Sequence, residues 1–166
     1  NANQPIANKQ PEFGQDQYGK FVRFTSNYTG GEAHNFEANN YLNLLPISGK
    51  SSFSVIDHDG TRASMLLGSK ESQKSYILID GNSYAISVDG YGLDDLGSWW
   101  FDGTFKETGQ DMGEVGVIPL NTPGIHSIIF QPSYPSFPFY RIGAYRDNKA
   151  GFGGKIREII IFDGYL

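Results

Sequence analysis

The closing run Gly153-Gly154-Lys155-Ile156-Arg157-Glu158-Ile159-Ile160-Ile161-Phe162-Asp163-Gly164-Tyr165-Leu166 constrains the fold more than any other stretch. Read at period two, it places Ile156, Ile160 and Phe162 on one face, and Lys155, Arg157, Ile159 and Ile161 on the other. Isoleucine at this density, bounded by glycine at both ends, specifies a strand rather than a helix. A second strand, Phe139-Tyr140-Arg141-Ile142-Gly143, precedes it across a short polar turn.

The same alternation recurs along the chain. Val22 and Phe24 alternate with Phe21, Arg23 and Thr25. Leu42 and Leu44 alternate with Tyr41 and Asn43, and Phe53 and Val55 with Ser52 and Ser54. Ala63 to Leu67 is a short apolar strand. Ser75 to Asp80 and Tyr84 to Asp89 flank Asp80-Gly81-Asn82-Ser83, whose Asp-Gly and Asn tolerate the positive φ of a tight reversal, so a hairpin is expected there. Further strands are expected at Ser98 to Phe101, Val115 to Ile118, Ile125 to Phe130 and Phe139 to Ala144. No window carries an apolar 3.6-residue period over ten residues. The sequence predicts an all-β protein, an antiparallel two-sheet β-sandwich of the jelly-roll kind.

In 166 residues, 21 glycines and an aromatic fraction of 14% suit one domain of short strands and tight turns. Residues 1–17 are rich in Asn, Gln and Pro without periodicity, and read as an extended arm or linker ahead of a single domain at 18–166. A net charge of -5 with 13 scattered basic residues excludes a nucleic-acid surface. No apolar run approaches the roughly 20 residues that span a bilayer, so no membrane insertion is expected. Without cysteine there is neither a disulfide framework nor a thiolate metal site. The first residue is not Met, which reads as a segment attached to a larger protein, outside the cell or on a virion surface.

Order and motif together resemble the concanavalin A-like (laminin-G-like) sandwich domains. Gly-Lys-Ile-x-Glu-Ile-x-Ile-Phe with a terminal Leu is similar to that family's closing strand. Phe36 to Leu44, Ser51 to Val55, Met65 to Gly68, the Tyr76–Val88 hairpin and Gly124 to Phe130 follow its strand order, with Ile125 where Trp is usual. The resemblance covers about residues 36–166. It implies a jelly roll of two curved sheets, a scaffold that serves lectins, glycosidases and structural modules alike.

Catalysis finds no footing. Glycosidases of this kind carry Glu-x-Asp-x-x-Glu on one strand, holding two carboxyls about 5–5.5 Å apart, and the motif is absent. His126 and Ser127 are adjacent, so a strand sends them to opposite faces. Gly-x-Ser-x-Gly does not occur, and His34, His58 and His126 lack zinc spacing. No enzyme is expected.

Binding finds more. Tyr91, Asp94, Asp95, Trp99, Trp100 and Asp102 group both tryptophans with three acids, the pairing of aromatic platform and hydroxyl-binding carboxylates that sugars require. Tyr134 and Phe137 lie in a proline-stiffened stretch, Gln131 to Tyr140, read as an exposed loop denied sheet pairing. Asp57 and Asp59, two hard oxygen donors on one turn, form a candidate calcium site. The expectation is a non-catalytic, lectin-like carbohydrate-binding module for adhesion to a glycan or cell-surface polysaccharide, as in a phage tail adhesin or secreted bacterial protein. The alternative is a structural or decoration domain of a virion or surface complex that binds no sugar. A homo-oligomer fits either.

Overall fold

The computed structural model describes residues 2–26, 38–60, 64–68, 76–80, 85–89, 98–108, 119–129, 137–144 and 151–165. Among them are strands β1 (Ala2–Asn3), β2 (Glu12–Asp16), β3 (Gly19–Phe24), β4 (Leu42–Gly49), β5 (Ser51–His58), β6 (Ser64–Gly68) and β7 (Tyr76–Asp80). They continue as β8 (Ala85–Asp89), β9 (Ser98–Phe101), β10 (Thr104–Thr108), β11 (Gly124–Ile129), β12 (Phe137–Ile142) and β13 (Gly154–Phe162), with one 3-10 turn at Ala7–Lys9. One sheet has the order β1-β4-β12-β6-β7-β8 and the other β10-β9-β11-β5-β13-β3-β2. All strand pairings are antiparallel. The protein is an all-β, two-sheet sandwich. The predicted hairpin is present, with Tyr76 opposite Asp89 and Asp80 opposite Ala85. The strand expected at Val115 to Ile118 lies outside the described residues.

Apolar side chains from both sheets meet between the layers. Leu66, Leu67 and Phe139 come from the first sheet, and Phe24, Ile56, Ile128 and Ile156 from the second, with Phe152 packed among them. Phe24 and Phe152 meet edge to face at 6.1 Å. Each such side chain contributes about 2 kcal/mol by leaving water.

Three sequence expectations change. The period-two reading of β13 breaks at Arg157. Ile156 pairs with Ile56 but Glu158 pairs with Val55, so Arg157 is the extra residue of a β-bulge. A bulge reverses the parity of everything after it. Ile156, Ile159 and Ile161 therefore face the core, whereas Ile160 (41% exposed) and Phe162 (37%) face outward.

Second, residues 2–16 do not stand apart from the sandwich. β1 is the edge of one sheet and β2 the edge of the other. Between them the buried Gln4 donates through Nε2 to the Tyr41 carbonyl (3.2 Å), and Tyr41 N donates to the Lys9 carbonyl (3.1 Å). The division at residue 17 has no counterpart in this pairing, because Asn and Gln side chains that favour no periodicity still offer backbone to a ladder.

Third, Phe137 and Pro138 belong to β12, opposite Gly49 and Ser48, not to a loop. Among the described residues β6 pairs β12 at Arg141 and Ile142, so no described strand flanks Pro138 on that side.

His58 and His126 both point inward and are fully buried, His126 with its ring 4.9 Å from Phe101. Burial, reinforced by the nearby His58, pushes the His126 pKa down from 6.5 to about 3. Below pH 6.5 the unfolded chain therefore takes up a proton that the native state refuses. Stability is complete above that pH and is expected to fall by up to about 1.4 kcal/mol per pH unit towards pH 3. Urea unfolding at pH 7.5, 5.5 and 4.5 checks this. A His126→Leu protein should lose this slope, and an unchanged slope would refute the assignment.

Candidate functional site

The bulge at Arg157 organises the most elaborate polar site among the described residues. As the extra residue of β13 it projects to the outer face of the seven-stranded sheet, between β5 and the β2–β3 hairpin. Its guanidinium donates to Asp57 through Nε (3.1 Å to Oδ1) and Nη2 (2.8 Å to Oδ2). It also donates to Asp16 through Nη1 (2.9 Å to Oδ1) and Nη2 (2.9 Å to Oδ2), and through Nη1 to the Gly19 carbonyl at 3.3 Å. The rings of Tyr18 and Phe21 flank it at 5.5 and 5.7 Å. Lys155 completes the cluster, 2.7 Å from Asp16 and 3.8 Å from Asp57, with its ammonium 4.7 Å from the Phe21 ring centroid.

The local sequence explains why these groups meet. Asp16 accepts a hydrogen bond from Tyr18 N (2.9 Å) and Gly19 takes a φ of 110°, which turns β2 into β3. Gly154 has a φ of 137°, and a Cβ there would collide with the Asp57 carbonyl oxygen. Only glycine lets β13 lie this close to β5 and align Lys155 opposite Asp57.

Two cations and two carboxylates make the cluster neutral. The Arg157 hydrogen bonds, then those of Lys155, hold the Asp16 carboxyl well below the usual carboxylate range, and the two aspartates push Arg157 higher still. A carboxyl held ionised in this way is a poor proton donor.

Beside it opens a cavity of about 320 Å3 lined by Arg23, Thr25, Asp57, Asp59, Asn121, Gly154 and Lys155. Its rim is tied to the end of β5. Asn121 N donates to the His58 carbonyl (2.8 Å), and Asp59 N to the Gly153 carbonyl (3.2 Å). Asn121 itself is left-handed, with φ 56°. Arg23 crosses the Phe21 ring at 5.7 Å and has no carboxylate partner among the described residues. The lining thus presents guanidinium, ammonium, hydroxyl, carboxamide and carboxylate groups to one space.

The residues singled out from sequence fare unevenly. Asp57 and Asp59 both line this cavity, and both Asp57 oxygens accept from Arg157. Among the described residues no three acidic or imidazole groups gather to hold a metal. Asp102 is a turn residue with φ 47°, and its Oδ1 accepts from Ile125 N at 2.8 Å. Trp100 is half-buried on the outer face, opposite Ser127. Trp99 lies in β9 and Phe137 in β12. Tyr91, Asp94, Asp95 and Tyr134 lie outside the described residues. Arg23, Asn121 and Arg157 were not foreseen, because nothing in local spacing links positions 141 residues apart such as Asp16 and Arg157. Among the described residues no helix is long and apolar enough to cross a membrane.

No protein-family model, curated protein or solved structure matches this chain.

Proposed function

We propose that the protein is a non-catalytic carbohydrate-binding module whose ligand enters the cavity beside the Arg157 cluster. The supporting observation is the lining itself: Arg23, Thr25, Asp59, Asn121 and Lys155 around about 320 Å3, within the size range of small-ligand sites. Hydroxyl groups both donate and accept, so they are best matched by neighbouring amide, carboxylate and cationic groups. The role proposed with it is adhesion at an outer surface, to a glycan displayed by a cell or a polysaccharide.

A glycan array with the intact protein tests this, followed by titration of any hit against Asp59→Ala and Asn121→Gly. Glycine keeps the left-handed backbone at 121 while removing the carboxamide. Each variant is expected to bind about tenfold more weakly at unchanged melting temperature, the loss of roughly one good hydrogen bond. Trp100→Ala should leave binding intact. Absence of any glycan ligand, or full affinity in both cavity variants, would sink the proposal. The alternative, an assembly domain without a sugar ligand, is favoured by one feature, the apolar outer face of the seven-stranded sheet.

A further inference from the structure

The cavity beside the Arg157 cluster has two unlike walls. Arg23 and Thr25, at the end of β3, line it from one side with Lys155 next to them. Asp57 and Asp59 line it from the other, and Asn121 stands on the rim.

The first wall is rich in donors that lack acceptors. Arg23 sits directly opposite Lys155 in the β3–β13 pairing. Both side chains leave the sandwich outward, because Phe24 and Ile156 beside them fill the core. Like charges set opposite one another in an antiparallel pair repel. Lys155 is drawn off to Asp16 at 2.7 Å. Arg23 instead lies 5.7 Å from the Phe21 ring centroid, with no carboxylate or carbonyl acceptor among the described residues. Glu12 is its neighbour across the β2–β3 pairing, and among the described residues the two form no ion pair. Thr25 adds a further donor. Its Oγ1 accepts from Asn40 Nδ2 at 3.2 Å and its backbone N–H donates to Asn40 Oδ1 at 2.9 Å, which leaves the hydroxyl proton to give.

The facing wall is the reverse. Both Asp57 oxygens accept from Arg157. Asp59 presents acceptors, and Asn121 presents a donor and an acceptor together.

A guanidinium, an ammonium and a hydroxyl proton on one wall call for a group that only accepts. An ionised carboxylate is such a group, and its two oxygens match the planar fork of arginine. The carboxylate and carboxamide across from it call for hydroxyls. A single ring carries both in an acidic sugar. We propose that the cavity takes a carboxylate-bearing sugar, its carboxylate held by Arg23 and Thr25 beside Lys155 and its hydroxyls turned to Asp59 and Asn121. The assignment rests on the cavity being a glycan site and narrows the ligand to acidic glycans. A net charge of -5 gives anions no general attraction to this protein, so their binding depends on this local arrangement.

The test uses oligosaccharides ending in glucuronate, galacturonate or sialate, each beside its methyl ester, together with neutral and sulfated oligosaccharides. The ester keeps the sugar and loses the charge. At least one free acid is expected to bind about tenfold more tightly than its ester, or better. Arg23→Gln should bring that acid down to the level of its ester. Arg23→Lys should keep part of the preference, because an ammonium supplies charge without the fork. Arg23 is exposed, so both variants should melt with the wild type. Binding of neutral glycans with no preference for the acids overturns this assignment and leaves the carbohydrate-binding reading standing. Preference for sulfated over carboxylated probes also overturns it, as does an Arg23→Gln protein that still favours the free acid. If no glycan binds at all, both fall together.

Discussion

Replacing Arg157 with methionine is expected to cost about 3 kcal/mol or more of unfolding free energy. The guanidinium is only 7% exposed and binds two carboxylates, of which Asp57 is 5% exposed. Methionine fills similar space but leaves Asp57, among the described residues, only the Lys155 ammonium at 3.8 Å. Most of the loss is therefore the cost of a buried, underpaired charge rather than the net value of the bond. Two further variants sharpen the expectation. Arg157→Lys restores charge but not the fork that spans both aspartates, so it should recover only part. Asp57→Asn in the methionine background removes the stranded charge and should recover part as well. The pH response follows with a definite sign. Asp16 has its pKa held below the ordinary 3.8, chiefly by Arg157. It thus adds stability above that pH, which is lost as acid protonates it, and this acid limb should shrink in Arg157→Met. Urea unfolding of the four proteins at pH 7 and pH 3 measures all of this. A loss below about 1 kcal/mol would mean that the cluster behaves like an ordinary surface pair.

Gly154→Ala is expected to lower the melting temperature by about 10 °C, if the protein accumulates at all. Two costs combine. A φ of 137° is strained for any residue with a Cβ, at about 1–3 kcal/mol. The Cβ would also strike the Asp57 carbonyl, a backbone atom that cannot swing aside. Relief would require β13 to part from β5 where Lys155 and Asp57 pair, so the cavity wall would open as well. Two other glycines calibrate the effect. Gly19 shares a positive φ (110°) but has nothing within 4 Å, so Gly19→Ala should cost only the backbone strain. Gly164 has an empty surround and no positive φ, so its alanine variant should be near neutral. If thermal melts fail to rank the three as Gly154, Gly19, Gly164, the close approach at Gly154 has been misjudged.

Much of the architecture is readable from local pattern, because strand identity depends on neighbours in sequence. Asp80-Gly81 announces the β7–β8 hairpin, and alternation locates β3, β4 and β13. What escapes is whatever depends on partners far along the chain. Nothing in Lys-Ile-Arg-Glu-Ile marks Arg157 as a bulge, since a bulge is defined by the strand opposite. Yet that single extra residue decides that Ile159 and Ile161, not Ile160 and Phe162, enter the core. The β2–β3 hairpin did carry a local signal, Asp16 followed by Gly19, masked by the polar, proline-containing stretch ahead of it. The candidate site was half visible. Asp57 and Asp59 stand out as turn acids, but the cation that takes Asp57 sits a hundred residues later, at Arg157. Asp102, an acid beside two tryptophans in sequence, accepts from Ile125 N and so ties its turn to β11, a link no local spacing announces.

The course of residues 2–16, from the rim of one layer to the rim of the other, has a mechanical corollary. Tension on the leading end would first peel the two residues of β1 from β4. It would next pull on Gln4 and its grip on Tyr41. Only then would it reach the five rungs between β2 and β3. The domain should therefore yield in steps of rising resistance, shedding a short leader while the Arg157 cluster behind it still holds.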